Sequence, residues 1–417
     1  MRYVIIGNGV AGINAANQIR DRDDESDITI VSSEHDHFFS RTALMYVACG
    51  QLSARCVEPY ERDYYERMNF RRIRDRVTAL KPDSNSLQLQ DGGSIEYDRL
   101  LIASGSVPFM VNWPGIDLDG VGNFVTWQNM EWLDKRAKTA KRACVIGGGL
   151  IGIETVEVLL MAGVEVSFIV REDFFWPIAF DEEEGTIIGE HMKEHGVDLR
   201  LKTEMTEVLG RDGRVVSIKT KDGEIIDCDM VVVSIGVTPQ TDWLKDSGLA
   251  LDERGGIIVD DHLKTNLDNV YAAGDCTSVV WFNDVRRPEQ LWYTGRDQGR
   301  VAGNNVAGDN RAYKRGTFYN SAKFFDIEYT TAGLVNFRLD GEQRWFQREP
   351  GTPNTVRIVY MPDNTVIGFN MLGRRWDHRV LVRWIEQKKK LTWVLDHLNE
   401  ALFDEEFMPN FKVLQGA

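Results

Sequence analysis

Six glycines carry the first chemical signal in this chain. In "MRYVIIGNGVAG", Gly7, Gly9 and Gly12 follow an apolar run, and in "CVIGGGLIG", Gly147, Gly149 and Gly152 do the same. In a G-x-G-x-x-G turn the first glycine permits a tight bend and the second lets backbone amides approach a pyrophosphate. The third lets the following helix pack closely on the strand. The helix N-terminus then adds partial positive charge for the phosphates. Val10 and Ala11 after one turn, and Leu150 and Ile151 after the other, open those helices. The pattern calls for two dinucleotides on one chain.

The sequence around the turns repeats. After Gly12 come a helical pattern (Ile13, Ala16, Ile19) and the strand "DITIVSSE"; after Gly152 come "IETVEVLLMAG" and "VEVSFIV". Strand, glycine turn, helix and strand thus occur twice, which predicts a βαβ start for each module. Further on, "LQLQDGGSIEYDRLLIASGSVP" aligns with "IKTKDGEIIDCDMVVVSIGVTP". Asp98 stands seven residues before Gly105 and Asp229 seven before Gly236, with Pro108 and Pro239 three residues later. The expected fold class is α/β with two Rossmann-like dinucleotide-binding domains. Ala103, Ser104 and Gly105 in one copy, and Gly236 in the other, would border the bound nucleotides.

Composition bounds the rest. At 417 residues the chain is long enough for two or three domains with their own cores. Hydrophobic residues make up 43% and charged residues 27%, ordinary for a water-soluble protein. No apolar run approaches the ~18 residues that span a bilayer. The chain enters a strand at once, leaving no room for a signal peptide, so a cytoplasmic location is expected. A net charge of −15 argues against nucleic acid as a partner. Among the five cysteines none forms a C-x-x-C pair. Cys144, Cys228 and Cys276 lie in or beside apolar runs and read as buried small side chains, leaving Cys49 and Cys56 as the candidates for redox work. No Cys/His cluster has metal-ligand spacing, and no metal is expected.

Two further stretches narrow the reading: "TNLDNVYAAGDCTS" (Thr265 to Ser278) and "FFSRTALMY" (Phe38 to Tyr46). With the glycine turns they resemble the two-dinucleotide flavoprotein reductases of the pyridine nucleotide–disulfide oxidoreductase-like superfamily. The resemblance covers about residues 1–310 closely, and is to the nitrite, rubredoxin and ferredoxin reductase and apoptosis-inducing factor branch. It implies FAD in the N-terminal site and NADH or NADPH in a second domain inserted in the first, with a C-terminal α+β interface domain. The boundaries are 1–114 and 239–310 for FAD, 115–238 for NAD(P)H, and 311–417 for the interface domain. A homodimer is left open.

The resemblance also assigns residues. Gly274 and Asp275 would meet the ribityl chain of FAD and Glu34 the adenosine ribose. Arg41 would clamp the pyrophosphate, to which a planar guanidinium is suited; a surface arginine is the alternative. Glu154 matches the family's glutamate near the nicotinamide, and Glu289 and Trp292, from "RRPEQLWYTGRDQGR", stand beside the isoalloxazine. An ordinary helix residue and a core aromatic are the alternatives for Glu154 and Trp292. Two departures matter. Arg41 stands where thiol-using relatives carry cysteine, and Tyr46 where many carry a lysine. Thiol chemistry is therefore not expected.

Val170 takes the place of the acid that selects NADH. Arg171 follows and leans towards NADPH, although Glu172 and Asp173 oppose a phosphate. The expected reaction passes a hydride from nicotinamide to flavin and electrons on to a small acidic ferredoxin- or rubredoxin-type protein. Quinone or oxygen reduction is one alternative; a redox-sensing interaction protein like apoptosis-inducing factor is another. "DHRVLVRWIEQKKKLTWVLDHLNEAL" reads as helix, with Val380, Leu381, Trp384 and Ile385 on one face. Arg374, Arg375, Arg379, Arg383, Lys388, Lys389 and Lys390 cluster there, either as a solvated face or as a dock for the acidic partner.

Overall fold

The computed structural model describes residues 1–281, 284–403 and 409–414. They form two compact units: Met1–Val111, Gly122–Thr139 and Ile235–Arg315 in one, Asn112–Val121, Ala140–Ser234 and Gly316–Ala417 in the other. Among the described residues no helix is long and apolar enough to cross a membrane.

The first unit is built on a parallel five-stranded sheet. Its strand order is Val270–Ala272, Arg99–Ile102, Arg2–Ile6, Asp27–Val31, Phe70–Ile73. Val4, Ile5, Leu100, Leu101, Ile28 and Ile30 are all buried, because a parallel sheet is covered on both faces. The helix Val10–Arg20 leaves the first strand through the glycine turn and lies against the helix Trp292–Val306. A Cβ on Gly299 or Gly303 would strike the backbone of Ala11 or Ala15. Small residues on both helices permit that approach, which holds the first glycine turn against the helix that begins at Trp292.

The second unit repeats the βαβ start. Strands Asp198–Arg200, Glu165–Ile169, Arg142–Ile146 and Met230–Val233 run parallel in that order, with helices Leu150–Met161 and Glu182–Glu194 following the first two strands of the module. The same unit holds an antiparallel five-stranded sheet, ordered Tyr319–Phe324, Ile327–Gly333, Val366–Gly373, Thr355–Tyr360, Gln343–Arg348. Trp345, Ile358, Phe369, Leu381 and Trp384 close its core.

The long C-terminal helix is corrected to two shorter ones, His378–Glu386 and Leu391–His397. Between them Lys388 takes a left-handed conformation (φ 52°). The Lys388 and Lys389 amides close the first helix on the Ile385 and Trp384 carbonyls, and the chain then bonds to a hairpin turn: Val366 N–H donates to the Lys389 carbonyl and Leu391 N–H to that of Asn364, each at 2.9 Å. Lys390 adds an ion pair to Asp363 at 2.8 Å.

Candidate dinucleotide sites

In the first unit Gly7 adopts φ 106°, which only glycine takes without strain, and a Cβ there would collide with the Ala103 carbonyl. Gly12 is equally confined by the Gly7 carbonyl. Gly9 is different: it opens the helix, and a Cβ on it would meet nothing within 4 Å. Two glycines are thus fixed by packing and the middle one faces open space at the N-termini of Val10 and Ala11, the room a pyrophosphate needs.

Around this turn the acids and bases are already in contact. Glu34 accepts from Arg41 through both carboxylate oxygens (2.8 and 2.6 Å) and from the Trp127 backbone N–H at 2.8 Å. Arg41 also donates to the Val125 carbonyl at 2.7 Å. The two residues assigned to ribose and pyrophosphate therefore form one unit. Asp275 follows Gly274 (φ 84°), whose N–H donates to the Gln298 side chain at 2.8 Å. Burial pushes the Asp275 carboxyl up, while the Ser106 hydroxyl, donating at 2.8 Å, and the positive charge of Arg41 pull it down. Ala103 N–H donates to the Ile6 carbonyl at 2.8 Å and the Ser104 hydroxyl to that of Gln240 at 3.0 Å. The Gly105 and Gly236 carbonyls accept from Gln240 and Phe109, each at 2.9 Å, beside the antiparallel pair Ser106–Pro108 and Val237–Pro239.

Trp292 begins its helix, and its buried indole N–H has no hydrogen-bond acceptor among the described residues. A buried orphan donor costs about 1–3 kcal/mol unless something else accepts from it. With the gap at Gly9 and the Asp275 carboxyl, it fits a polar cofactor along this surface. Glu289 is buried and engaged by Arg315, whose Nε donates at 3.0 Å. No sequence spacing pairs these two. Tyr46 lies in the short helix Leu44–Ala48.

The second unit reproduces the cradle. Gly147 takes φ 113°, a Cβ on Gly152 would strike the Gly147 carbonyl, and Gly149, at the head of the helix before Leu150 and Ile151, meets nothing within 4 Å. Glu154 lies one turn further on; burial, reinforced by the charge of Glu157, pushes its carboxyl up to about 8. Val170 is fully buried at the end of the second strand, and Arg171 is 78% exposed with its Nε 2.7 Å from Glu172. Asp173 pairs with Lys202 at 3.3 Å. Both acids that would oppose a ribose phosphate thus have cationic partners.

The five cysteines are free thiols. Cys144, Cys228 and Cys276 are buried, and Cys56 is exposed beside the Ser53 hydroxyl at 3.1 Å. The basic C-terminal cluster is not a uniform face. Arg374 is buried on Glu349, Arg379 pairs with Asp377, Lys390 pairs with Asp363, and Lys389 lies over Trp393. Exposed Arg375 sits over Phe403, which leaves Arg383 and Lys388 as the outward charges.

Two glycine-turn cradles on successive parallel sheets define a two-dinucleotide reductase. The chain matches the family model described as pyridine nucleotide-disulphide oxidoreductase over residues 1–299, and it belongs to that family. It is an oxidoreductase with FAD and NADH or NADPH as cofactors. It is 33% identical over 397 residues to nitrite reductase [NAD(P)H] of Bacillus subtilis, covering 94% of this chain but 48% of that protein. The chain thus spans about half the length of that relative. It is 27% identical to a ferredoxin–NAD(P)+ reductase of a Sphingomonas species, covering 92% of each. A NAD-dependent persulfide reductase from A. fulgidus has the same fold, with a TM-score of 0.87 at 23% identity over 95% of this chain and 79% of that one.

Proposed function

We propose that this chain passes electrons from NAD(P)H through FAD to a small ferredoxin- or rubredoxin-type protein, without a protein thiol. One observation carries this reading: the segment Phe38–Tyr46 holds Arg41, locked by Glu34 and the Val125 carbonyl, where a redox cysteine would be needed. When bound, FAD supplies hydride acceptance and electron release. The chain's own residues orient and compensate charge. Gly9, Val10 and Ala11 offer the helix N-terminus to the pyrophosphate, with Arg41 as counter-charge. Glu34 and Asp275 accept from sugar and ribityl hydroxyls, and Trp292 donates its orphan N–H. Gly147, Gly149 and Gly152 do for the nicotinamide dinucleotide what the first turn does for FAD, and Glu154 sets the charge along that helix. On this reading FAD belongs to 1–114 and 239–310, the nicotinamide dinucleotide to 115–238, and 311–417 serves as the interface domain. The name of the Sphingomonas relative supports the acceptor class, and Arg383 and Lys388 offer an acidic partner two exposed charges.

Anaerobic titration with NADH and with NADPH, followed by turnover with a ferredoxin, a quinone or oxygen, tests the proposal. Rapid flavin bleaching with fast ferredoxin turnover is expected. Bleaching with fast turnover only on quinone or oxygen would replace the acceptor. Bleaching without turnover on any of them would favour a redox-sensing interaction protein.

A further inference from the structure

Away from both glycine cradles, the helix Glu182–Glu194 ends in two imidazoles that meet a carboxylate. His191 and His195 are one helical turn apart, the spacing that sets two side chains side by side. The turn joining Tyr319–Phe324 to Ile327–Gly333 brings Asp326 to the same point, within the same compact unit. Its Oδ1 lies 2.5 Å from His191 Nε2, and one ligating atom from each of the three residues lies within 4.8 Å of the other two.

Three features make this a place for a cation. The ring of His195 stacks on Phe325, with centroids 4.4 Å apart, and its Nδ1 lies 2.9 Å from the His191 carbonyl. A proton on Nδ1, donated to that carbonyl, leaves the Nε2 lone pair outward, the arrangement in which metal-ligating histidines are held. Both imidazoles also sit at the helix C-terminus, where unpaired carbonyls concentrate partial negative charge. Finally, Glu194 approaches His191 Nδ1 at 3.6 Å and Glu157 accepts from the Phe325 N–H at 3.0 Å, with Lys323 as the opposing cation.

We propose that His191, His195 and Asp326 bind a divalent transition-metal ion of the zinc type, with water completing the shell. Two imidazoles and one carboxylate suit zinc, and an Asp326 that is 75% exposed leaves a water-accessible position. The ion would tie the end of the nucleotide-module helix to the C-terminal sheet, so that binding stabilises the folded chain. The sequence carries only the His191–His195 pair, because Asp326 lies 135 residues from His191 and only the fold supplies it.

The test uses untagged, FAD-loaded protein, stripped with chelator and dialysed against micromolar zinc chloride, with metal content and thermal midpoint as readouts. One zinc per chain and a midpoint raised by a few degrees are expected. His195→Ala and Asp326→Asn should each lose the zinc and the shift. The second of these changes only a surface side chain and decides the matter should the first fail to fold. His37→Ala, which removes a member of the separate His35, His37, Glu58 grouping, should keep both. No zinc uptake by the unaltered chain overturns the assignment, as does zinc kept by Asp326→Asn or lost by His37→Ala.

Discussion

Glu34 and Arg41 hold each other in a two-pronged ion pair, with both carboxylate oxygens accepting from the guanidinium at 2.8 and 2.6 Å. They lie seven positions apart in the chain, and the pair is pinned from outside by the Trp127 N–H on the acid and the Val125 carbonyl on the base. Neither side chain is free to drift, so a ligand arriving at Gly9 meets a pre-positioned charge pair. Charge-assisted bonds of this kind contribute ~1.5–3 kcal/mol each. Arg41→Ala should therefore weaken FAD retention by about tenfold or more, read from flavin fluorescence released on dilution. Arg41→Lys should recover only part, because a single ammonium cannot satisfy two carboxylate oxygens and a carbonyl in one plane. Unchanged FAD affinity in Arg41→Ala would remove the arginine from the site.

The glycines of the second cradle separate stability from binding. Gly149 has φ −112°, acceptable to any residue, and open space where its Cβ would be; Gly152 has the Gly147 carbonyl in that position. Gly149→Ala should leave the melting temperature nearly unchanged while raising the KM for the nicotinamide dinucleotide at least tenfold. Gly152→Ala should destabilise the fold by ~1–3 kcal/mol through overpacking. Calorimetry and steady-state kinetics on both variants check this, and equal losses of stability would contradict it.

What was legible in the sequence was local. Gly12 and Gly152 announce themselves because each answers a steric demand made five residues earlier, by the carbonyls of Gly7 and Gly147. The long helix expected through Lys388, Lys389 and Lys390 broke because the competing partners, Asp363, Asn364 and Val366, lie more than twenty residues earlier and no periodicity registers them. Basic residues that looked like one docking face were mostly consumed by Glu349, Asp377 and Asp363. Glu289 carried a clear motif, but its partner Arg315 did not, since a buried pair across twenty-six residues leaves no spacing to read.

Arg171 is held by Glu172 but exposed, and Asp173 is engaged by Lys202. An incoming ribose phosphate must exchange Glu172 for itself, an exchange between solvated groups worth ~1 kcal/mol. Arg171→Ala should raise the KM for NADPH about tenfold and leave that for NADH within about twofold. Glu172→Gln should lower the KM for NADPH. Parallel changes for the two nucleotides would mean that Arg171 does not read the phosphate.

Glu154 gives a pH signature. Its carboxyl is pushed up to about 8 by burial and by Glu157. A carboxyl raised in the folded state binds more protons there than in the unfolded chain over the window from its ordinary value of about 4.5 to about 8. The folded state therefore loses stability as pH rises through that window, and the loss is complete above it. Glu154→Gln carries no ionisable group and should flatten the decline, becoming more stable than the parent above pH 8. Thermal midpoints of both proteins from pH 5 to 9 test this; parallel curves would show that Glu154 titrates normally.

Glu184 and Arg357 are a harder constraint. Arg357 Nη2 lies 2.9 Å from Glu184 Oε2 and Nε donates to Oε1 at 3.1 Å, with both side chains 4% exposed or less. The remaining donors of Arg357 reach Ala179, Val335 and Asn336, and Asn370 donates to Glu184 at 3.0 Å. Burial outweighs even this arginine and pushes the Glu184 carboxyl up to about 7. Breaking such a pair from one side leaves the other charge buried and uncompensated, at a cost of ~3–5 kcal/mol. Arg357→Met should lose that much in urea unfolding, and Glu184→Gln less, since the amide keeps the shape and can still accept from Arg357. The double change to Met at 357 and Gln at 184 should be less destabilised than the sum of the singles. Additive losses would mean that the two residues act independently, each through its own contacts to Ala179, Val335 or Asn370.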